Sequence, residues 1–246
     1  AISMAEQAVA GGSNVLFATP HLLTRQDLAK SLQVAGYVAQ LQAHLTNAGI
    51  PLQLVPGMEV YPESFIVEAV KVGYPITLGP ARKYLLIDTP LIRLPLGFEQ
   101  LIFQLELQGI IAILAHPERS ADVQANLQIL EPLLRRGVLL QINGSSLLGQ
   151  HGAGAERAAR TLLDLRWVHF IASDAHSPRR RRPGLARAAQ CVSDLVGAET
   201  AADLLRRNGQ RVIDGQAIVS TPRPYAEAKK QRRVFGWLFK HAACDT

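Results

Sequence analysis

The chain has 246 residues, 48% hydrophobic and 19% charged, so it can bury one sizeable core and lacks the composition of a disordered or fibrous protein. Its two cysteines, Cys191 and Cys244, form neither a disulfide framework nor a zinc-knuckle spacing, which makes a reducing, cytoplasmic setting the default. The net charge of +6 is concentrated in Arg179 to Arg182 and in the stretch from Arg223 onward, which is local charge and not a nucleic-acid-binding face, and no apolar run approaches the roughly 20 residues that span a bilayer.

In chain order, Ile2 to Gly11 reads as an amphipathic helix whose apolar stripe needs a sheet beneath it. No strand precedes it in the sequence, so a first strand is expected to be missing. Apolar, strand-like runs follow at about 15–18, 52–55, 84–88, 110–115, 138–142 and 168–172. Between them lie segments of helical spacing, Asp27 to Thr46, Phe98 to Gln108, Leu127 to Arg136, Ala155 to Leu165 and Leu185 to Val196. Gly49, Gly109 and Gly137 each fall after a helix and before a strand, where a left-handed C-terminal glycine turns the chain back. This βα repeat predicts a parallel sheet covered by crossover helices, an α/β barrel-like domain.

The chemistry lies at the ends of the strand-like runs. His21, Glu59, Asp88, His116 and the pair Asp174 and His176 each follow an apolar run directly. Strand ends that deliver imidazoles and carboxylates to one face are how an α/β barrel builds a metal-dependent site. Imidazole suits zinc, iron or manganese, and Glu59 could bridge two ions. Alternate residues of an extended segment share a face, so Asp174 and His176 could address one site. Asp88, before Thr89-Pro90, could equally bond the amides of its own turn. Arg119, three residues beyond His116, and one arginine of the run 179–182 reach over the same mouth, and a guanidinium fork matches phosphate oxygens. Asn143-Gly144-Ser145-Ser146 reads as a turn and helix cap, because no histidine is placed by spacing to activate either serine.

The strings Ala18-Thr19-Pro20-His21, Pro56-Gly57-Met58-Glu59, Leu86-Ile87-Asp88-Thr89-Pro90, Ala115-His116-Pro117-Glu118-Arg119, Gly144-Ser145-Ser146-Leu147-Leu148-Gly149 and Phe170-Ile171-Ala172-Ser173-Asp174-Ala175-His176, in this order, resemble the CpsB/CapC-type bacterial protein-tyrosine phosphatases of the PHP (polymerase and histidinol phosphatase) superfamily. The resemblance covers roughly residues 1–215 and leaves 216–246 as a basic, aromatic tail. It implies a distorted (βα)7 TIM-like PHP barrel with its first strand, carrying a His-x-His pair and an Asp, absent from this sequence. It also implies a cluster of divalent metals, most often Mn²⁺ with Fe or Zn as alternatives, held by His21, Glu59, His116, Asp174 and His176. Asp88 stands where the family usually has Glu. Arg119 matches a phosphate-contacting arginine, and Arg182, before Pro183, matches the second.

The implied reaction is metal-dependent hydrolysis of phosphotyrosine on a bacterial tyrosine kinase that controls capsule or exopolysaccharide export, by activated water and without a phosphoenzyme. A histidinol-phosphate type of phosphoesterase on the same scaffold, or an inactive remnant acting as a binding module, are the alternatives. An open barrel edge predicts self-association. The tail Lys229 to Lys240, cations followed by an aromatic cluster, offers a peripheral contact with an anionic membrane.

Overall fold

The computed structural model describes residues 1–219, 222, 223 and 225. The membrane-contact reading of Lys229 to Lys240 therefore lies outside the described residues. The strands are β1 (Val15–Ala18), β2 (His21–Leu22), β3 (Gln53–Pro56), β4 (Glu59–Val60), β5 (Tyr84–Asp88), β6 (Ile111–Ala115), β7 (Leu139–Asn143) and β8 (Phe170–Ala172). The main helices are α1 (Ile2–Ala10), α2 (Leu28–Asn47), α3 (Phe65–Val72), α4 (Phe98–Glu106), α5 (Ala121–Ala125), α6 (Glu131–Arg135), α7 (Gly144–Leu147), α8 (Ala153–Asp164), α9 (Ala186–Val196), α10 (Ala198–Ala202) and α11 (Asn208–Asp214).

All the strand pairings are parallel, and β2-β4-β5-β6-β7-β8 form one sheet in chain order. β1 pairs with β3 just ahead of it, and the ladder continues through the kink at Pro20 and Gly57, because the Gly57 N–H donates to Ala18 O and the Glu59 N–H to Pro20 O. β1 with β2, and β3 with β4, are thus two long bent strands. The result is the α/β architecture expected from the βα repeat. Gly49, Gly109 and Gly137 take φ of 68°, 72° and 82°, the left-handed turn that the sequence predicts at each helix exit.

Successive side chains of each strand serve opposite layers. Leu85, Ile87, Ala112, Leu114, Leu140 and Ile142 join the core beneath the helices. Tyr84, Leu86, Ile113, Ala115 and Leu139 form a separate inner cluster closed by Val212 of α11. The segment 127–136 departs from the single helix expected: it is a 3₁₀ turn, Leu127–Leu130, followed by α6 with Pro132 in its first turn. Proline has no N–H and its ring clashes with the preceding turn, so the α-helix restarts there. The short helices α3, α10 and α11 were not anticipated. Of the described residues beyond α11, Arg223 donates its N–H to the Leu165 carbonyl at the end of α8, its own carbonyl accepts from Trp167 Nε1, and the Tyr225 ring lies 6.3 Å from that indole. No helix among the described residues is long and apolar enough to cross a membrane.

His169, buried ahead of β8, illustrates how the interior is tuned. The Leu140 N–H donates to its Nδ1 at 3.0 Å, and burial pulls its pKa down to about 4. The folded value lies below the unfolded value of about 6.5, so the unfolded chain takes up the proton first. Stability from this group is fully present above pH 6.5 and is lost as pH falls toward 4, by about 3 kcal/mol in all. Thermal melts of the metal-free protein should therefore decline across this window, and His169→Gln should flatten the decline. An equal slope in both proteins would assign the acid sensitivity to other groups.

Candidate metal centre

Parallel strands open all their C-terminal loops on one side, and there the structure brings the predicted donors together. His21 and Glu59 are register partners on β2 and β4, Asp88 ends β5, His116 follows β6, and Asp174 and His176 follow β8. Glu59 is the hub. Its Oε1 lies 3.0 Å from His116 Nε2, and its Oε2 lies 3.6 Å from His21 Nδ1. Asp88 Oδ1 is 3.5 Å from His116 Nε2, so Asp88 points into the cluster and does not merely cap its turn. Donor atoms of Glu59, His116 and Asp174 all fall within 4.8 Å of one another. His21 and His176 close the solvent side, their ring centroids 5.9 Å apart.

Backbone conformation aims two of these groups. His116 (φ 37°) and Asp174 (φ 49°) occupy the left-handed region that non-glycine residues rarely adopt. Such conformations persist where the surroundings hold them, and they cluster at functional sites. Asn143, at the end of β7, donates through Nδ2 to Asp174 Oδ2 at 2.7 Å. Asn143 is held in turn by Glu118, whose fully buried carboxylate accepts the Asn143 N–H at 3.0 Å and the Ser146 hydroxyl at 2.7 Å. Neither Asn143 nor Glu118 stood out in the sequence as a supporting group, although both lie in strand-end motifs.

One of the two arginines is placed differently from the expectation. Arg119 Nη1 is 3.2 Å from Asp174 Oδ2, as its spacing suggested. The second guanidinium on Asp174 is that of Arg181, while Arg182 Nε donates to the Arg179 carbonyl at 3.2 Å. The cause is the turn: the His176 and Ser177 N–H groups both donate to the Arg181 carbonyl, which folds the loop back and turns Arg181 inward. A second correction concerns Ser145. His151 Nε2 lies 2.9 Å from its Oγ, a pairing that a separation of six positions and a turn concealed.

The electrostatics show what the cluster lacks. Burial opposes a proton on His116, yet the Glu59 hydrogen bond and the nearby Asp174 and Glu118 carboxylates raise its pKa overall. Burial, with the Glu59 charge, raises Asp88. Burial also raises Glu118. Of the five buried side-chain polar atoms without a partner among the described residues, four belong to Thr89, His116, Glu118 and Ser120, in or beside the cluster. Carboxylates that draw a proton onto a buried imidazole are short of positive charge, and the mixed nitrogen and oxygen donors suit a transition-metal ion. The residues present therefore fit a divalent metal.

Two cavities meet at the centre. One, of about 670 Å³, is lined by His21, Asp88, His116, Arg119, Asp174 and Arg181, with Tyr61 and Leu91 to Arg93 at its mouth. The other, of about 1100 Å³, runs between β1 and β8, whose facing edges have no strand partner among the described residues.

Residues 1–214 match the family model described as "Capsular polysaccharide synthesis, CpsB/CapC". The chain belongs to this family. It is 30% identical over 237 residues to the tyrosine-protein phosphatase YwqE of Bacillus subtilis, covering 96% of this chain and 91% of YwqE. It is 31% identical over 238 residues to the putative tyrosine-protein phosphatase CapC of Staphylococcus aureus, covering 97% and 92%. The fold superposes with a TM-score of 0.82 and 29% identity, over 91% of this chain and 90% of the other, on a solved chain from the crystal structures of YwqE from Bacillus subtilis and CpsB from Streptococcus pneumoniae, described as unique metal-dependent tyrosine phosphatases. The family expected from the strand-end motifs is the family found.

Proposed function

We propose that this CpsB/CapC-family chain is a metal-dependent protein-tyrosine phosphatase, and that its substrate is phosphotyrosine on a bacterial tyrosine kinase governing capsule or exopolysaccharide synthesis, reached from the cytoplasm. The observation that carries the reading is the convergence of three imidazoles, three carboxylates and two guanidinium groups in one cluster at the C-terminal end of the sheet. His21, Glu59, Asp88, His116, Asp174 and His176 would hold the metal, Mn²⁺ in preference to Fe or Zn. When bound, such ions supply Lewis acidity, polarising phosphoryl oxygens and making water acidic enough to attack near neutral pH.

The chain's own groups do the rest. Arg119 and Arg181 bind the phosphoryl oxygens and offset the charge that grows on them in the transition state. Asn143 and Glu118 keep Asp174 turned toward the pocket, and the two left-handed residues fix the donors before substrate arrives. Cys191 lies on α9 with its side chain buried in the core and, contrary to the reading of the sequence, held in a disulfide, so it offers no nucleophilic thiol.

Mutating the arginines tests this assignment. Arg181→Ala should lower kcat/KM for a phosphotyrosine peptide about 100-fold, the usual loss for a group that stabilises transition-state charge, whereas Arg182→Ala should stay within about twofold. The reverse ranking would return the second phosphate contact to Arg182.

A further inference from the structure

Building on the phosphatase reading, we infer that the loop Leu91-Ile92-Arg93 is the specificity element of the site: Leu91 and Ile92, with Tyr61, seat the aromatic ring of phosphotyrosine, and Arg93 meets acidic residues that flank it in the substrate. The pocket is graded by depth. At its base His116 is buried and Arg119 is nearly so, while at its mouth Leu91 is 54% and Ile92 75% exposed. Charge at the base and hydrocarbon at the rim suit a phosphate carried on an aryl group and leave a short alkyl phosphate without contact at the rim.

The two aliphatic side chains are displayed, not loosely exposed. The Ala121 and Asp122 N–H groups, free donors of the first turn of α5, donate to the Leu91 and Ile92 carbonyls at 2.8 and 3.1 Å. Two residues on, Leu94 packs against the main core. The backbone is thus tied on both sides while the Leu91 and Ile92 side chains face solvent, which spares most of the ordering cost on binding. Large apolar side chains held at a cavity mouth mark a contact surface.

Charge fixes the nature of the flanks. Arg93 lines the pocket, is exposed and has no carboxylate partner among the described residues, and the exposed Arg179 and Arg180 precede Arg181 on the loop that carries it into the pocket. An unpaired guanidinium group at the rim of an aryl-phosphate pocket, with two more on the neighbouring loop, selects peptides with Asp or Glu beside the phosphotyrosine.

The test uses the full chain loaded with Mn²⁺ and three substrates: a phosphotyrosine peptide flanked by Glu, the same peptide flanked by Lys, and 2-glycerophosphate. For Leu91→Ser/Ile92→Ser the ratio of kcat/KM for the Glu-flanked peptide over 2-glycerophosphate should fall about tenfold, mainly through KM, as expected from losing two apolar contacts. Arg93→Glu should reduce the Glu-over-Lys preference at least about threefold. Ile92→Ser alone, at an exposed position, serves should the double variant melt early. Unchanged ratios in folded variants would overturn the inference. If the loaded wild type hydrolyses none of the substrates, the phosphatase reading fails and anisotropy of a labelled Glu-flanked phosphotyrosine peptide decides the rim by itself. Weaker binding by Ile92→Ser than by wild type would support the rim, and equal or absent binding by both would overturn it.

Discussion

Replacing His116 with alanine should reduce turnover of a phosphotyrosine peptide by on the order of 1,000-fold, because the side chain at the centre of the cluster supports Lewis-acid chemistry worth several kcal/mol of transition-state stabilisation. His116 lies within 3.5 Å of both Glu59 and Asp88, so its loss removes a donor and leaves two carboxylates facing one another. Bound metal measured by mass spectrometry should drop in parallel with activity. A His116→Ala protein that keeps its full metal content and turnover would remove His116 from the centre.

The largest stability effect is expected one layer further out. Glu118 is fully buried, and its carboxylate accepts from the Asn143 N–H and the Ser146 hydroxyl. Glu118→Ala leaves both donors buried and unpaired and opens a void, which should cost about 3 kcal/mol. For a domain of this size that is a fall in Tm of roughly 6–12 °C. Activity should fall as well, since Asn143 positions Asp174 from the strand that Glu118 anchors. Glu118→Gln retains an acceptor oxygen and should recover part of both losses. A melting temperature unchanged in Glu118→Ala would show that the Glu118–Asn143–Ser146 network carries little stability.

What the sequence made legible follows from what is local. Strand runs and helix exits are encoded within a few residues, as at Ile111–Ala115 or at Gly137, and the structure reproduces them closely. The six candidate ligands were visible because they follow five apolar runs, Asp174 and His176 sharing the last, and parallel strands necessarily gather such residues on one side. The supporting network was less legible because it depends on distant pairings: Glu118 to Asn143, 25 positions apart, or Asn143 to Asp174, 31 apart. The choice between Arg181 and Arg182 turned on one hairpin-like loop closed by two backbone bonds to the Arg181 carbonyl, a geometry that composition does not report. The Ser145–His151 contact was hidden for the same reason, since the left-handed Gly149 between them turns the chain.

Metal dependence is the central claim, and reconstitution is its most direct measurement. The purified chain is stripped with a chelator, its metal content is confirmed to be near zero, and hydrolysis of a phosphotyrosine peptide is followed as Mn²⁺ is returned. The structure predicts negligible turnover in the stripped protein and recovery that tracks metal bound, with no recovery in His116→Ala. Full turnover by the metal-free protein, or metal binding without any hydrolysis, would contradict the account.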